Sequence, residues 1–288
     1  MRCCLTVSAL LVLAGCASQM PPDPAFLADW ERWRAQRLER LRAEDGWLTL
    51  VGLYWLEEGE STVGSAPEAD VVLPAGLPAR VGAITLRGRE ARFTPAPGVD
   101  LPATVLRDDA QPDYDVLRLG TVRFYLIERG GRFGIRVKDS ESPARRRFTG
   151  LEYFPPDPSW NVEAKLIPAP HQVSFDTEAG VKEAYESPGY LEFERSGRTV
   201  RVEPVLEGGE LFLVFRDATS GKSTYAASRF LYAPLPGADG RTRLDFNRAY
   251  NPPCVFTPYA TCPLPTPQNR LTMAIEAGEK KYTGPGAH

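Results

Sequence analysis

The last third of the chain gathers the polar side chains best suited to chemistry. Asp217, Tyr225, Arg229, Asp245, Asn247, Tyr250, Asn251 and Glu276 fall at the ends of strand-like segments or in a proline-rich stretch, together with Thr224, Asn269 and Glu279. Two carboxylates flanking a substrate can share acid–base work when burial raises the pKa of one of them. An arginine beside them can clamp an anion. The same residue types can equally satisfy the backbone of a long buried loop. Arg229 with Asp217 or Asp245 is the first pair to consider. Tyr225 and Arg229 are four residues apart, so on a strand they would share a face and could line one pocket. The first eight residues named are therefore the ligand-binding candidates, and none is assigned a catalytic role.

Familiar chemistries are excluded one by one. Ser220-Gly221-Lys222-Ser223-Thr224 has the ending of a phosphate-binding loop, but the required upstream glycine is Arg216 and the context is strand–turn–strand. The segment reads as a hairpin turn. A Ser-His-Asp nucleophile lacks its setting, because His171 is the one internal histidine and no Gly-x-Ser-x-Gly elbow occurs. A formal net charge of −3, with Arg145-Arg146-Arg147 as the main basic run, argues against nucleic acid. Cys254 and Cys262 close a short loop. A disulfide between them is the expectation, with free buried thiols second, and a metal site is disfavoured because only His171 and His288 could complete it. No cofactor and no metal is expected.

The elements that must position these residues are mostly strands. The 27 prolines and 25 glycines are spread rather than massed, which marks many turns between short strands. Residues 25–45 are the exception: Phe26, Leu27, Trp30, Trp33, Leu38 and Leu41 recur at helical spacing after an Asp23-Pro24 start. That helix could lie on a membrane surface or pack on the domain behind it, and its mixed charges favour packing. Strands are expected at Trp47–Val51 and Leu53–Leu56, then along the chain to Arg132–Val137. A polar stretch at 138–147 separates these from a second β-rich block with Tyr225–Tyr232 and Leu271–Ile275 among its strands. Residues 249–268 carry six prolines and both cysteines, and so form an ordered loop.

At the N-terminus, Arg2 precedes an apolar stretch from Leu5 to Ala14. It is too short to span a bilayer, which takes about 20 apolar residues, and suits a signal segment. Leu13-Ala14-Gly15-Cys16 resembles the lipobox of bacterial lipoproteins. That resemblance implies cleavage after residue 15, acylation of Cys16, and a tether over 16–24. With Ala17 rather than Asp after the cysteine, it implies an exported protein held on the outer membrane and facing the periplasm.

From Gly46 to Tyr282 the chain resembles the bacterial and archaeal domain-of-unknown-function family 1684. The likeness rests on G-W-L-T-L-V-G-L-Y-W-L-E-E-G at 46–59 and F-T-G-L-E-Y-F at 148–154. It is carried further by D-A-T-S-G-K-S-T-Y-A-A-S-R-F-L at 217–231, L-D-F-N-R-A-Y-N-P-P-C at 244–254, P-Y-A-T-C-P-L-P at 258–265 and I-E-A-G-E-K at 275–280. The family implies no established function. Residues 46–140 also resemble a forkhead-associated (FHA) domain through T-V-G-S at 62–65, E-A-D-V-V-L-P at 68–74 and A-R-V-G-A-I at 79–84. The phosphate-gripping Arg of that fold is Ser65 here, its Ser is Ala79 and its structural His is Gly82, so no phosphopeptide binding is expected.

The expected fold is mainly β: an N-terminal helix, an FHA-like β-sandwich over 46–140, and a second antiparallel sandwich or barrel-like domain over 141–288. The expected function is that of a membrane-anchored envelope lipoprotein binding a small molecule or envelope component, with the lipid bilayer as partner through Cys16. Two alternatives stand beside it: a hydrolase or lyase using Asp/Glu chemistry with Arg229, and a protein-interaction module on the FHA-like block.

Overall fold

The computed structural model describes residues 22–287, so Cys16, the signal segment and most of the tether lie outside the described residues. Helix α1 runs Pro24–Arg42. The Asp23 carboxylate accepts from the Ala25 amide at 2.9 Å, and Pro24 opens the first turn where its missing N–H costs nothing. The helix packs on the body of the protein: Trp30, Arg37 and Leu41 are buried, and the Trp30 indole donates to the Asn247 carbonyl at 3.2 Å.

The first β unit holds β1 (Leu50–Trp55), β2 (Gly59–Gly64), β3 (Val71–Val72), β4 (Gly82–Arg87), β5 (Glu90–Pro95), β6 (Thr104–Leu106), β7 (Val116–Leu119), β8 (Val122–Arg129) and β9 (Arg132–Asp139). A sheet ordered β3-β2-β4-β5-β6 faces one ordered β1-β9-β8-β7. All pairings are antiparallel except β2 with β3. Period-two alternation fills the space between the sheets: Phe124 and Leu126 from β8, and Phe133, Ile135 and Val137 from β9, pack with Val63, Ile84 and Phe93. The alternate residues of β9, Gly134, Arg136 and Lys138, therefore turn to the outer face. Gly130 and Gly131, at φ 56° and 82°, make the tight turn between β8 and β9 that fixes this register.

After α2 (Pro143–Arg147) the second unit holds β10 (Asn161–Asp176), β11 (Lys182–Arg195), β12 (Arg198–Val202), β13 (Val205–Glu207), β14 (Glu210–Phe215), β15 (Arg229–Ala233) and β16 (Arg241–Asp245). Its sheets are ordered β12-β11-β10-β16 and β13-β14-β15. They remain separate, and no barrel closes. Leu211, Leu213 and Phe215 on one face of β14 pack with Leu191, Phe193 and Phe246. Phe212 and Val214 on its other face join Phe230, Val173, Phe175, Leu50 and both cysteines. That second cluster brings residues of both β units together.

Three expected strands need correction. Trp47–Thr49 is a 3-10 turn, and β1 runs through Gly52 with a register shift between Leu50 and Gly52. The strand expected at Tyr225–Tyr232 begins only at Arg229, because residues 217–224 fold back on themselves through Ser220, Lys222, Ser223 and Thr224 amides. Tyr225 and Arg229 accordingly do not share a strand face. Leu271–Ile275 forms no strand. It runs as an irregular segment beside the end of β14, with the Leu271 amide donating to Arg216 O and the Ala218 amide to Met273 O.

Candidate functional site

The C-terminal candidates are brought close together, but as a buried frame. Asp217 and Arg229 are 5% and 0% exposed. Arg229 Nη2 contacts Asp217 Oδ2 at 2.5 Å, and the guanidinium also donates to the Ile275 and Ala277 carbonyls at 2.9 and 2.5 Å. The other oxygen of Asp217 accepts from the Thr219 amide and hydroxyl at 2.7 and 2.6 Å. A pair so occupied pins the irregular 271–277 segment to β15.

Asp245 caps the next turn. It accepts from the Asn247 amide at 3.2 Å, Asn247 Nδ2 at 2.8 Å and Arg248 Nε at 3.1 Å. Asn247 also clasps the Asp157 amide and carbonyl, each at 2.9 Å. Asn251 is fully buried; its amide donates to Glu279 Oε2 at 2.7 Å and its Nδ2 to Lys280 O at 2.8 Å. Tyr225 donates to Glu178 Oε1 at 3.2 Å, and burial first, then that carboxylate, pushes its hydroxyl up to about 12. Glu276 is exposed. Of the expected set, Tyr250 alone lines the cleft described next.

Cys254 and Cys262 form a disulfide with Cα atoms 6.2 Å apart. It closes the proline-rich loop, whose backbone also relies on Gly278 at φ 79°, where a Cβ would come 2.3 Å from the Ala249 carbonyl. Among the described residues no group of three or more His, Cys, Asp or Glu could hold a metal ion.

The cavity that stands out is a cleft of about 890 Å³ between α1, the outer face of β8–β9 and the second β unit, with Cys262 in its wall. Helix α1 supplies Trp33, Arg37, Arg40 and Leu41, and Trp47 follows from the 3-10 turn. The helix is held there by an ion pair from Arg37 Nε to Glu279 Oε1 at 2.9 Å, both groups buried. Arg37 Nη2 also donates to the Asn251 carbonyl at 2.9 Å, and its guanidinium lies 4.6 Å from the Tyr250 ring centre. Burial lowers the Arg37 pKa and Glu279 raises it, with a net upward shift.

Two chemically different walls face each other. On the β8–β9 side stand Arg129, Arg136 and Lys138. Arg129 grips Asp109 with both terminal nitrogens, at 2.8 and 2.7 Å, and its Nε lies 3.4 Å from Glu183. Burial, then Arg136, lowers the Lys138 amine to about 8; Asp45 opposes this, and Arg123, directly opposite Lys138 on β8, adds to it. On the second-unit side Phe212, Phe230, Tyr232 and Tyr250 form an aromatic stack, with Phe212 and Tyr232 rings 4.8 Å apart and Tyr232 and Tyr250 rings 6.4 Å apart. Two hydroxyls on this side have carboxylate partners: Tyr232 donates to Glu207, and Tyr185 donates to Glu183 at 2.9 Å. Burial raises the pKa of Glu183, Tyr185, Tyr232 and Tyr250.

The β9 cations escaped the reading from sequence because Arg132–Val137 reads as an ordinary strand. Its period-two pattern held the signal: Arg132, Arg136 and Lys138 share one face with Gly134.

The profile of the family described as protein of unknown function (DUF1684) matches residues 146–280. An uncharacterized protein of Haloarcula marismortui, solved in solution by NMR, is 34% identical over 46% of this chain and 77% of its own, with a TM-score of 0.39. No curated protein matches the chain. The profile match identifies residues 146–280 of this chain as a region of the DUF1684 family, whose function is unknown.

Proposed function

We propose that the protein binds a small organic molecule in the cleft beneath α1, as an envelope lipoprotein anchored through acylated Cys16. One observation carries the binding reading. A cleft of about 890 Å³ has an aromatic wall, convergent charged groups and contributions from three separate parts of the chain. Ligand sites favour such concave junctions, at roughly 300–1,000 Å³. Two titratable groups in it, Glu183 and Lys138, are shifted toward their neutral forms, a trait concentrated at functional sites.

The anchoring reading rests on Leu13-Ala14-Gly15-Cys16. The eight residues from Cys16 to Asp23, before α1 begins, reach at most about 30 Å, so α1 and the cleft would work close to the bilayer. Acid–base chemistry on Asp217, Asp245 and Glu276 has less support. The first is sealed against Arg229, the second caps a turn, and the third is exposed.

The binding test uses a neutral probe, 1-naphthalenemethanol, titrated into the protein by calorimetry. Ala43, half-buried on the cleft wall, is replaced in A43W to fill the space. Saturable binding to the native chain that disappears in A43W supports the reading. Binding that A43W leaves untouched removes it, as does the failure of both this alcohol and its anionic analogues to bind. For the anchor, Cys16→Ser should shift the protein from the membrane to the soluble fraction. An unchanged distribution would contradict acylation.

A further inference from the structure

Arg136 and Arg229 are both nearly sealed from solvent, at 3% and 0% exposure, yet their surroundings differ. Arg229 has its own carboxylate at 2.5 Å and two backbone carbonyls. The carboxylate nearest Arg136 is Asp109, at 3.6 Å, and Arg129 already grips both of its oxygens. The Thr261 hydroxyl lies at 3.5 Å and the Tyr125 hydroxyl also borders the guanidinium, but the Arg136 Nε–H meets no acceptor among the described residues. Buried guanidinium groups ordinarily have closer acceptors than these.

Lys138 lies two residues on, on the same face of β9, where its ammonium donates to the Asp45 carbonyl at 2.5 Å. Both cations border the Trp47 ring, at 5.2 and 5.5 Å from its centre. Arg129, Arg136 and Lys138 thus match Asp109, Asp45 and Glu183 in number, and burial of Glu183, which favours its neutral form, tips the group toward positive charge. Across the cleft, Glu207 and Glu210 would repel a second negative group.

Resting on the binding reading above, we infer that the ligand is an organic anion with one charged head. A carboxylate or phosphate accepts from Arg136 and Lys138 beside Trp47, and an apolar body lies against the Phe212–Tyr232–Tyr250 wall. The charged groups around Lys138 are Arg136 on its own strand, Arg123 on β8, Asp45 after α1 and Asp109 before β7. Its amine loses its proton near pH 8, and the head group loses a donor with it.

The test compares 1-naphthoate and 1-naphthyl phosphate with neutral 1-naphthalenemethanol by calorimetry, in the native chain, K138R and K138M. The anions are expected to bind at least about tenfold more tightly than the alcohol at pH 7. With the uncharged amine binding about tenfold more weakly, their Kd rises roughly sevenfold between pH 7 and pH 9.5. In K138R, where the charge persists, that rise is lost; in K138M affinity for the anions falls about tenfold and that for the alcohol stays. The tighter of the two anions identifies the head group. Equal affinity for anion and alcohol, or a pH-dependent rise that survives in K138R, overturns the anion inference while the cleft reading stands. Failure of all three probes to bind the native chain overturns both.

Discussion

Lys138→Met should make the folded protein more stable at pH 7. The Lys138 pKa falls from 10.5 to about 8 on folding, first because the amine is desolvated and next because Arg136 lies beside it. At about 1.4 kcal/mol per unit, holding that proton in the folded chain costs about 3 kcal/mol. Below pH 8 the amine is charged in both states and the cost is complete. Between pH 8 and 10.5 the folded chain has released the proton while the unfolded chain still holds it, so stability rises with pH. Methionine removes the cost and with it the donation to Asp45 and the contact with Trp47. The net gain should be about 1–3 kcal/mol at pH 7. Urea unfolding at pH 7 and 9.5 reads it, and the advantage of K138M should shrink to less than half at the higher pH. The raised tyrosines titrate alike in both proteins and cancel in the difference. A K138M protein that is less stable at pH 7, with the same pH dependence as the native chain, would refute the reasoning. A side chain that costs stability and faces a cleft fits a trade of stability for binding.

Other substitutions probe the frame around the cleft. Asp217→Asn leaves Arg229 buried without its counter-charge and should cost about 3–5 kcal/mol in urea unfolding; a loss under 1 kcal/mol would remove the framing role of the pair. Reduction of Cys254–Cys262 opens a loop with a sequence separation of 8 and should cost about 2–3 kcal/mol. Thiol labelling of both cysteines without reductant would contradict the disulfide. His171 has its Nδ1 at 2.7 Å from the Ala169 carbonyl and its Nε2 at 3.0 Å from Glu203. Only the imidazolium donates to both, and these bonds raise its pKa above 6.5. Its contribution is complete below pH 6.5 and fades as pH climbs through the raised value. An NMR titration should show the elevated midpoint, and Glu203→Gln should lower it.

The fold was legible where periodicity and punctuation agree. The stripe from Phe26 to Leu41 with Asp23-Pro24 before it identifies α1, and the spread of proline and glycine identifies a mainly β body. Chain-distant pairing was less legible. β10 runs through Pro168 and Pro170, residues that argue against a strand, and it survives because a bulge between Pro168 and His171 takes Pro170 out of the ladder while Pro168 stays paired. Gly189, opposite Pro168 at φ 131°, lets the strands stay close. Polar residue types around Asp217 and Arg229 pointed to a constellation that does assemble, yet nothing local distinguishes a framing ion pair from one facing a cavity. That distinction is made by burial, which depends on the 271–277 segment laid over Arg229. Arg136 poses the reverse case: a strand residue with no motif gains meaning only when a second β unit and a helix cover it.

The most direct test of a ligand-binding cleft is the NMR signal of the Arg136 Nε–H, followed with the indole N–H signals of Trp33 and Trp47 during titration with 1-naphthoate. The expected result is that all three shift together and saturate at one ligand per chain, with the Arg136 proton moving downfield as it gains an acceptor. Saturable binding that leaves these three signals in place, or shifts confined to other surfaces, would contradict the assignment of the cleft as the site.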